Sequence, residues 1–113
     1  MIINVTSIRL RSLWKFFPLS YQALGISVQA KNHKGFIKMK NRGFGYMHYT
    51  LTAWESMEDL QAFARSGAHL ESLKKSSRLA IEIRTFSYPS EEFPKWSTAQ
   101  KTLMDKGKIF TFR

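Results

Sequence analysis

A chain of 113 residues, 43% hydrophobic and 14% aromatic, has the length of one domain and is too apolar to be disordered. It contains no cysteine, which excludes disulfides and thiolate metal sites. The formal charge of +10 favours polyanionic partners by long-range attraction, and it equally fits a solvated basic surface.

The opening MIINVTSIRLRS has no apolar core behind a basic head, as a secretory signal would. No apolar run approaches the ~18 residues of a membrane span, so a cytoplasmic protein without a membrane partner is expected. Ile2 to Arg11, β-branched and partly alternating, is the first strand candidate. In the following SLWKFFPLSYQALGISVQAKNHKG, Pro18 suits only the first turn of a helix and sets the helix start near that residue. Phe17, Tyr21, Leu24 and Val28 then recur at helical spacing as one apolar stripe, and Asn32 and Gly35 supply the stop. FIKMKN alternates as a half-exposed strand. Asn41 to Gly43 makes the turn into Phe44 to Trp54, the longest strand signal in the chain.

Ser56 caps a second helix with Asp59 at its third position, and Met57, Leu60, Phe63 and Ala64 form its buried face. SGAH interrupts that helix, LESLKKSS continues as a short helical turn, and LAIEIRTFSY is a fourth strand. Beyond Pro89 and Pro94, a Ser97-x-x-Gln100 capping box and Gly107 bound a short C-terminal helix. The order β-α-β-β-α-β describes an α+β, ferredoxin-like antiparallel sheet with both helices on one face and the other face bare. A single domain over residues 1–113 is expected, with a core of 1–88 and a helical extension of 89–113.

Alternation along the third strand separates Phe44, Tyr46, His48, Thr50, Thr52 and Trp54 from Gly45, Met47, Tyr49, Leu51 and Ala53. The second set is the better match to a helix-covered core, which assigns the aromatic first set to the bare face. A surface so aromatic calls for a cover. One candidate cover is RNA. Residues Arg42 to Tyr49, RGFGYMHY, fit the octapeptide of RNA-recognition motifs, with Phe44 and Tyr46 as the stacking pair and Arg42 on phosphate. Against it, the first strand offers no partner aromatic, and the third runs on to Trp54. The other candidate cover is a second copy of the chain, with Phe44 and Tyr46 at the interface.

Residues 50–73, TLTAWESMEDLQAFARSGAHLESL, resemble a stretch of small proteins related to antibiotic-biosynthesis monooxygenases and, more distantly, to spheroidene monooxygenase. The likeness is carried by the strand ending Trp54-Glu55, the acidic helix start, Phe63, and the SGAH turn ending in His69. IRLRSLWKFFP and Gly35-Phe36 are also similar. The resemblance implies a dimeric α+β barrel in which two sheets pack bare face to bare face, with a mostly apolar pocket between sheet and helices. It further implies, in some relatives, oxidation of aromatic polyketides without a cofactor, and in those nearer spheroidene monooxygenase the use of haem. The basic KKSSR that follows SGAH here departs from the aromatic or acidic segment of the relatives.

The sequence carries no Rossmann glycine pattern and no metal-ligand cluster, so no cofactor is predicted, and haem is the one the resemblance leaves open. His69, at the helix break, is the candidate catalytic residue, as base, haem ligand or ligand-orienting donor. Its plainer role would be to bond the backbone freed by the break. His48, Trp54 and Arg9 are the candidate ligand-binding residues, against the plainer roles of interface polar group, core packing and solvated edge charge. Tyr49 reads as core and His33 as a loop residue. The reading is a homodimeric, monooxygenase-like protein that binds a small apolar or aromatic molecule, and the alternative is an RNA-binding module.

Overall fold

The computed structural model describes residues 1–65 and 78–112, with the backbone alone at Phe44. Strand β1 (Ile2–Leu10) leads through a 3-10 turn at Leu13–Lys15 into helix α1 (Phe16–Lys31). Strands β2 (Phe36–Phe44) and β3 (Met47–Trp54) form a hairpin, followed by α2 (Met57–Ala64). Strand β4 (Ala80–Pro89), helix α3 (Trp96–Lys106) and strand β5 (Lys108–Thr111) complete the chain. The five strands form one sheet in the order β2-β3-β1-β4-β5, antiparallel at every junction. This is the expected α+β ferredoxin-like arrangement, extended by β5, a strand that the sequence reading missed.

Local chemistry sets the element ends. Pro18 falls in the first turn of α1, where its missing N–H costs nothing. Ser56 accepts a hydrogen bond from the Asp59 amide at 3.1 Å, which forms the expected cap of α2. Gly107 ends α3 by donating its N–H to the Leu103 carbonyl at 2.7 Å. The Ser97/Gln100 capping box does not form, because α3 begins two residues earlier, with Lys95 as its N-cap and no side-chain cap bond. Trp96 packs against the core and anchors that earlier start.

The hairpin turn is displaced from the expected Asn41–Gly43 to Gly45-Tyr46. Gly45 adopts φ of +61°, which a residue without Cβ reaches without strain. Gly43 stays in the strand, paired with His48, whose imidazole lies where a side chain at 43 would be. RGFGYMHY is therefore the end of one strand, a turn and the start of the next. Phe44 pairs with Met47 across the hairpin and Tyr46 is in the turn, so the two cannot be stacking neighbours along one strand.

The two faces are also assigned the other way round. Ile3, Val5, Leu51 and Ala53 are fully buried together with Ala99 and Leu103, so the Leu51/Ala53 face is covered by the chain's own C-terminal helix. Tyr49, expected as core, is half-buried against this cluster. Trp54 belongs to the opposite face, packed with Leu60 and Phe63 of α2, Ala30 and Ile26 of α1, and Phe36 and Met39. The outer face was expected to be shielded by a twin chain, but α3 shields its apolar centre within one chain.

A polar band and a histidine cleft beneath the first helix

The strand register stacks side chains in rungs across the face that α1 and α2 share. Phe36, Trp54, Ile2 and Pro89 form an apolar rung at one end. Next come Met39, Thr52, Asn4 and Ser87, then Asn41, Thr50, Thr6 and Thr85, then Gly43, His48, Ile8 and Ile83. The two middle rungs carry four threonines, two asparagines and a serine, of which only Thr52 is buried.

These groups bond to one another. Asn4 Oδ1 accepts from Ser87 Oγ at 2.9 Å and from Thr85 Oγ1 at 3.3 Å. The Thr6 and Thr85 hydroxyls are 3.1 Å apart, and Thr50 donates to Asn41 at 3.0 Å. Trp54 Nε1 donates to Thr52 Oγ1 at 3.0 Å, which satisfies the indole inside the core. The amide nitrogen of Asn4 finds no acceptor among the described residues, so it remains a donor half-buried on this face.

At the far end the last rung opens into a cleft of about 350 Å³ lined by Leu13, Phe16, Phe17, Gly43, Gly45 and His48. His48 Nε2 lies 3.0 Å from the Gly45 carbonyl, an arrangement in which Nε2–H donates and the neutral ring keeps its acceptor at Nδ1. The Phe16 ring covers the imidazole at 5.6 Å between centroids. The cleft is therefore an apolar mouth with one oriented imidazole, next to a floor of hydroxyls and amides.

The expected site residues are not gathered in one place. His48 and Trp54 share this face but are six residues apart along β3, about 20 Å. Trp54 is fully buried, in ring contact with Phe63 at 4.9 Å and Phe36 at 5.7 Å. Arg9 pairs with Met47 and Glu82 on the outer face, so the sheet separates it from both. Tyr46 is 47% exposed at the hairpin tip. SGAH with His69, and LESLKKSS, lie outside the described residues. His33 occupies the loop after α1, and its ring meets Trp54 and Phe63 edge-on at 5.9 and 5.7 Å.

Of the described histidines, His48 has Nε2 bonded to the Gly45 carbonyl and Nδ1 over Gly43, and His33 has Nδ1 3.1 Å from the Lys34 carbonyl. Among the described residues no group of three or more histidine, aspartate and glutamate side chains could hold a metal ion. No described helix is long and apolar enough to cross a membrane. The polar band is the feature sequence reasoning missed. Its signal was present in the alternating Asn4, Thr6 and Thr50, Thr52, which were read as strand propensity.

The antiparallel sheet and its helices define a class of small ferredoxin-like α+β domain. Solved structures of that class match this chain closely in shape. A "putative antibiotic biosynthesis monooxygenase" from Deinococcus radiodurans superposes with a TM-score of 0.74 at 10% identity, over 84% of this chain and 97% of that one. Rv0793 from Mycobacterium tuberculosis gives 0.72 at 11% identity, over 83% and 100%. SnoaB, a cofactor-independent oxygenase from Streptomyces nogalater, gives 0.65 at 9% identity, over 83% and 97%. The chain thus shares the fold of antibiotic biosynthesis monooxygenase-like proteins. No protein-family model matches the sequence, and no curated protein matches it.

Proposed function

We propose that this protein binds a small, flat aromatic molecule bearing oxygen substituents, held between the sheet and α1, and serves a monooxygenase-like reaction on it as a homodimer. The observation that carries the reading is the pair of polar rungs on the face that α1 and α2 share. Of their seven polar side chains only Thr52 is buried, Asn41 is exposed and the other five are half-buried, so hydroxyls and an amide stand within reach of a ligand's polar groups. Asn4 Nδ2 and the hydroxyls of Thr6 and Thr50 would receive the ligand's oxygens, while Phe16, Phe17 and Leu13 would receive its ring. The reaction class draws its support from the fold shared with SnoaB, and a site without a bound cofactor is in keeping with that relative. Dimer formation draws support from β5, an outermost strand with Ile109 49% and Phe110 42% exposed, because an apolar, unpaired edge invites pairing.

The test is thermal unfolding with a hydroxynaphthoquinone and, separately, with naphthalene. The quinone should stabilise the protein by about 2.7 kcal/mol at a hundredfold excess over its Kd. Naphthalene should do much less, and Asn4→Leu should weaken quinone binding by roughly tenfold. Equal stabilisation by both compounds, or an unchanged affinity in the variant, removes the polar band as the site. Oxygen uptake with the reduced quinone reads turnover, and a monomer in sedimentation at micromolar concentration rules out the dimer.

A further inference from the structure

The apolar stripe of α1 is present but faces away from the sheet. Phe17, Leu24 and Val28 are 64%, 66% and 56% exposed, and Trp14 and Tyr21 are each 80% exposed. What α1 turns toward the sheet is Ile26, Ser27 and Ala30, with Ser27 Oγ 3.4 Å from Met39 Sδ. Together the five outward residues expose roughly 800 Å² of mostly apolar side chain, against the ~300–600 Å² of the largest patch on an ordinary monomer. The polar band explains the orientation, since large hydrocarbon pressed onto hydroxyls would gain little.

The charge on α1 and on the segments that flank it in sequence is of one sign. No acidic residue precedes Glu55, whereas eight of the eighteen basic residues do. Residues 16–30 carry no charge, and Lys15 and Lys31 bracket them, with Lys34 just beyond. A second copy stacked ridge to ridge would bring Lys15, Lys31 and Lys34 against themselves, with Asp59, packed on Gly35, the acidic group at that end. A partner has to offer hydrocarbon under a negatively charged surface, and an anionic lipid bilayer has both. Trp and Tyr, the two most exposed ring types here, are those that settle at the headgroup level.

We propose that the outer face of α1, through Trp14, Phe17, Tyr21, Leu24 and Val28, docks the protein on anionic membrane surfaces, lying in the interface without crossing it. The expectation of a protein without a membrane partner rested on the absence of a long apolar run, which excludes only a span. Docked in this way, the cleft at Phe16 and Phe17 opens at the lipid boundary, where apolar molecules dissolve.

The test is flotation of the full chain with vesicles of phosphatidylcholine alone and of phosphatidylcholine mixed equally with phosphatidylglycerol. Binding to the mixed vesicles should exceed binding to the neutral ones by at least about tenfold and should weaken with added salt. Tryptophan emission should shift to the blue on binding, and Trp14→Phe should abolish the shift. Tyr21→Gln with Leu24→Gln, both outside the cleft, should lower affinity by at least about tenfold. Lys15→Gln with Lys31→Gln, which leaves the apolar ridge intact, should lower it severalfold. Equal binding to both vesicle types, or none to either, overturns the proposal. So does a ridge variant that keeps vesicle binding while losing self-association or the hold on an acidic protein.

Discussion

Leu103→Ala tests whether the C-terminal helix is part of the core or an appendage to it. Leu103 is fully buried, seated among Ile3, Val5, Leu51, Ala53 and Ala99. Truncation to alanine removes three carbons at about 0.8 kcal/mol each, and incomplete collapse of the hole brings the loss to roughly 2.5–5 kcal/mol. A domain of this size holds about 5–15 kcal/mol in total, so the change takes a large part of it. The melting midpoint should fall by roughly 10 °C or more, at about 4 °C per kcal/mol. Urea titration should show one transition with a lowered midpoint and an unchanged slope. Leu103→Met, which nearly conserves volume, should lose less than about 1.5 kcal/mol. A loss below about 1 kcal/mol, or a separate early transition for residues 96–106, would refute the reasoning and return the outer face to solvent or to a second chain.

Gly43→Ala should destabilise by about 1–3 kcal/mol, because the new methyl group meets the His48 ring. In a double-mutant cycle, His48→Ala should recover most of that loss, and simple additivity would show that the ring does not restrict the site. Tyr88 has a buried hydroxyl without a partner among the described residues, and burial pushes its phenol above the ordinary value of 10. The folded state therefore holds that proton longer than the unfolded one. Stability should be intact below about pH 10 and decline as pH rises through the folded value. Tyr88→Phe should flatten that alkaline decline and lose nothing at neutral pH, and chemical denaturation across pH reads both. Ser56→Ala should lose about 1 kcal/mol through the cap of α2, and an unchanged midpoint would discount the bond to Asp59.

Much of the fold was legible because its signals are local. Pro18 in a first turn, Ser56 three residues before Asp59, and Gly107 after the last helix act within a few residues of themselves, and each marked an element end. Gly45 and Gly43 show where such signals stop: both are turn formers, yet Gly45 takes the turn at positive φ while Gly43 pairs in the sheet beneath the His48 imidazole, a contact made by strand pairing. Likewise, the helical spacing of Phe17, Tyr21, Leu24 and Val28 defined a stripe but not the direction in which it points.

By itself the sequence determined the chain order of the first four strands and of the helices between and after them, and the division of a strand into two sets of side chains, since both follow from spacing along the backbone. Only the tertiary structure decided which set lies under which helix, because period-two alternation is symmetric between the two faces. It also assembled the polar band, whose bonds join Asn4 to Ser87 and Thr6 to Thr85 across 83 and 79 residues. Contacts at that separation are set by strand register, which arises only when the chain has closed on itself.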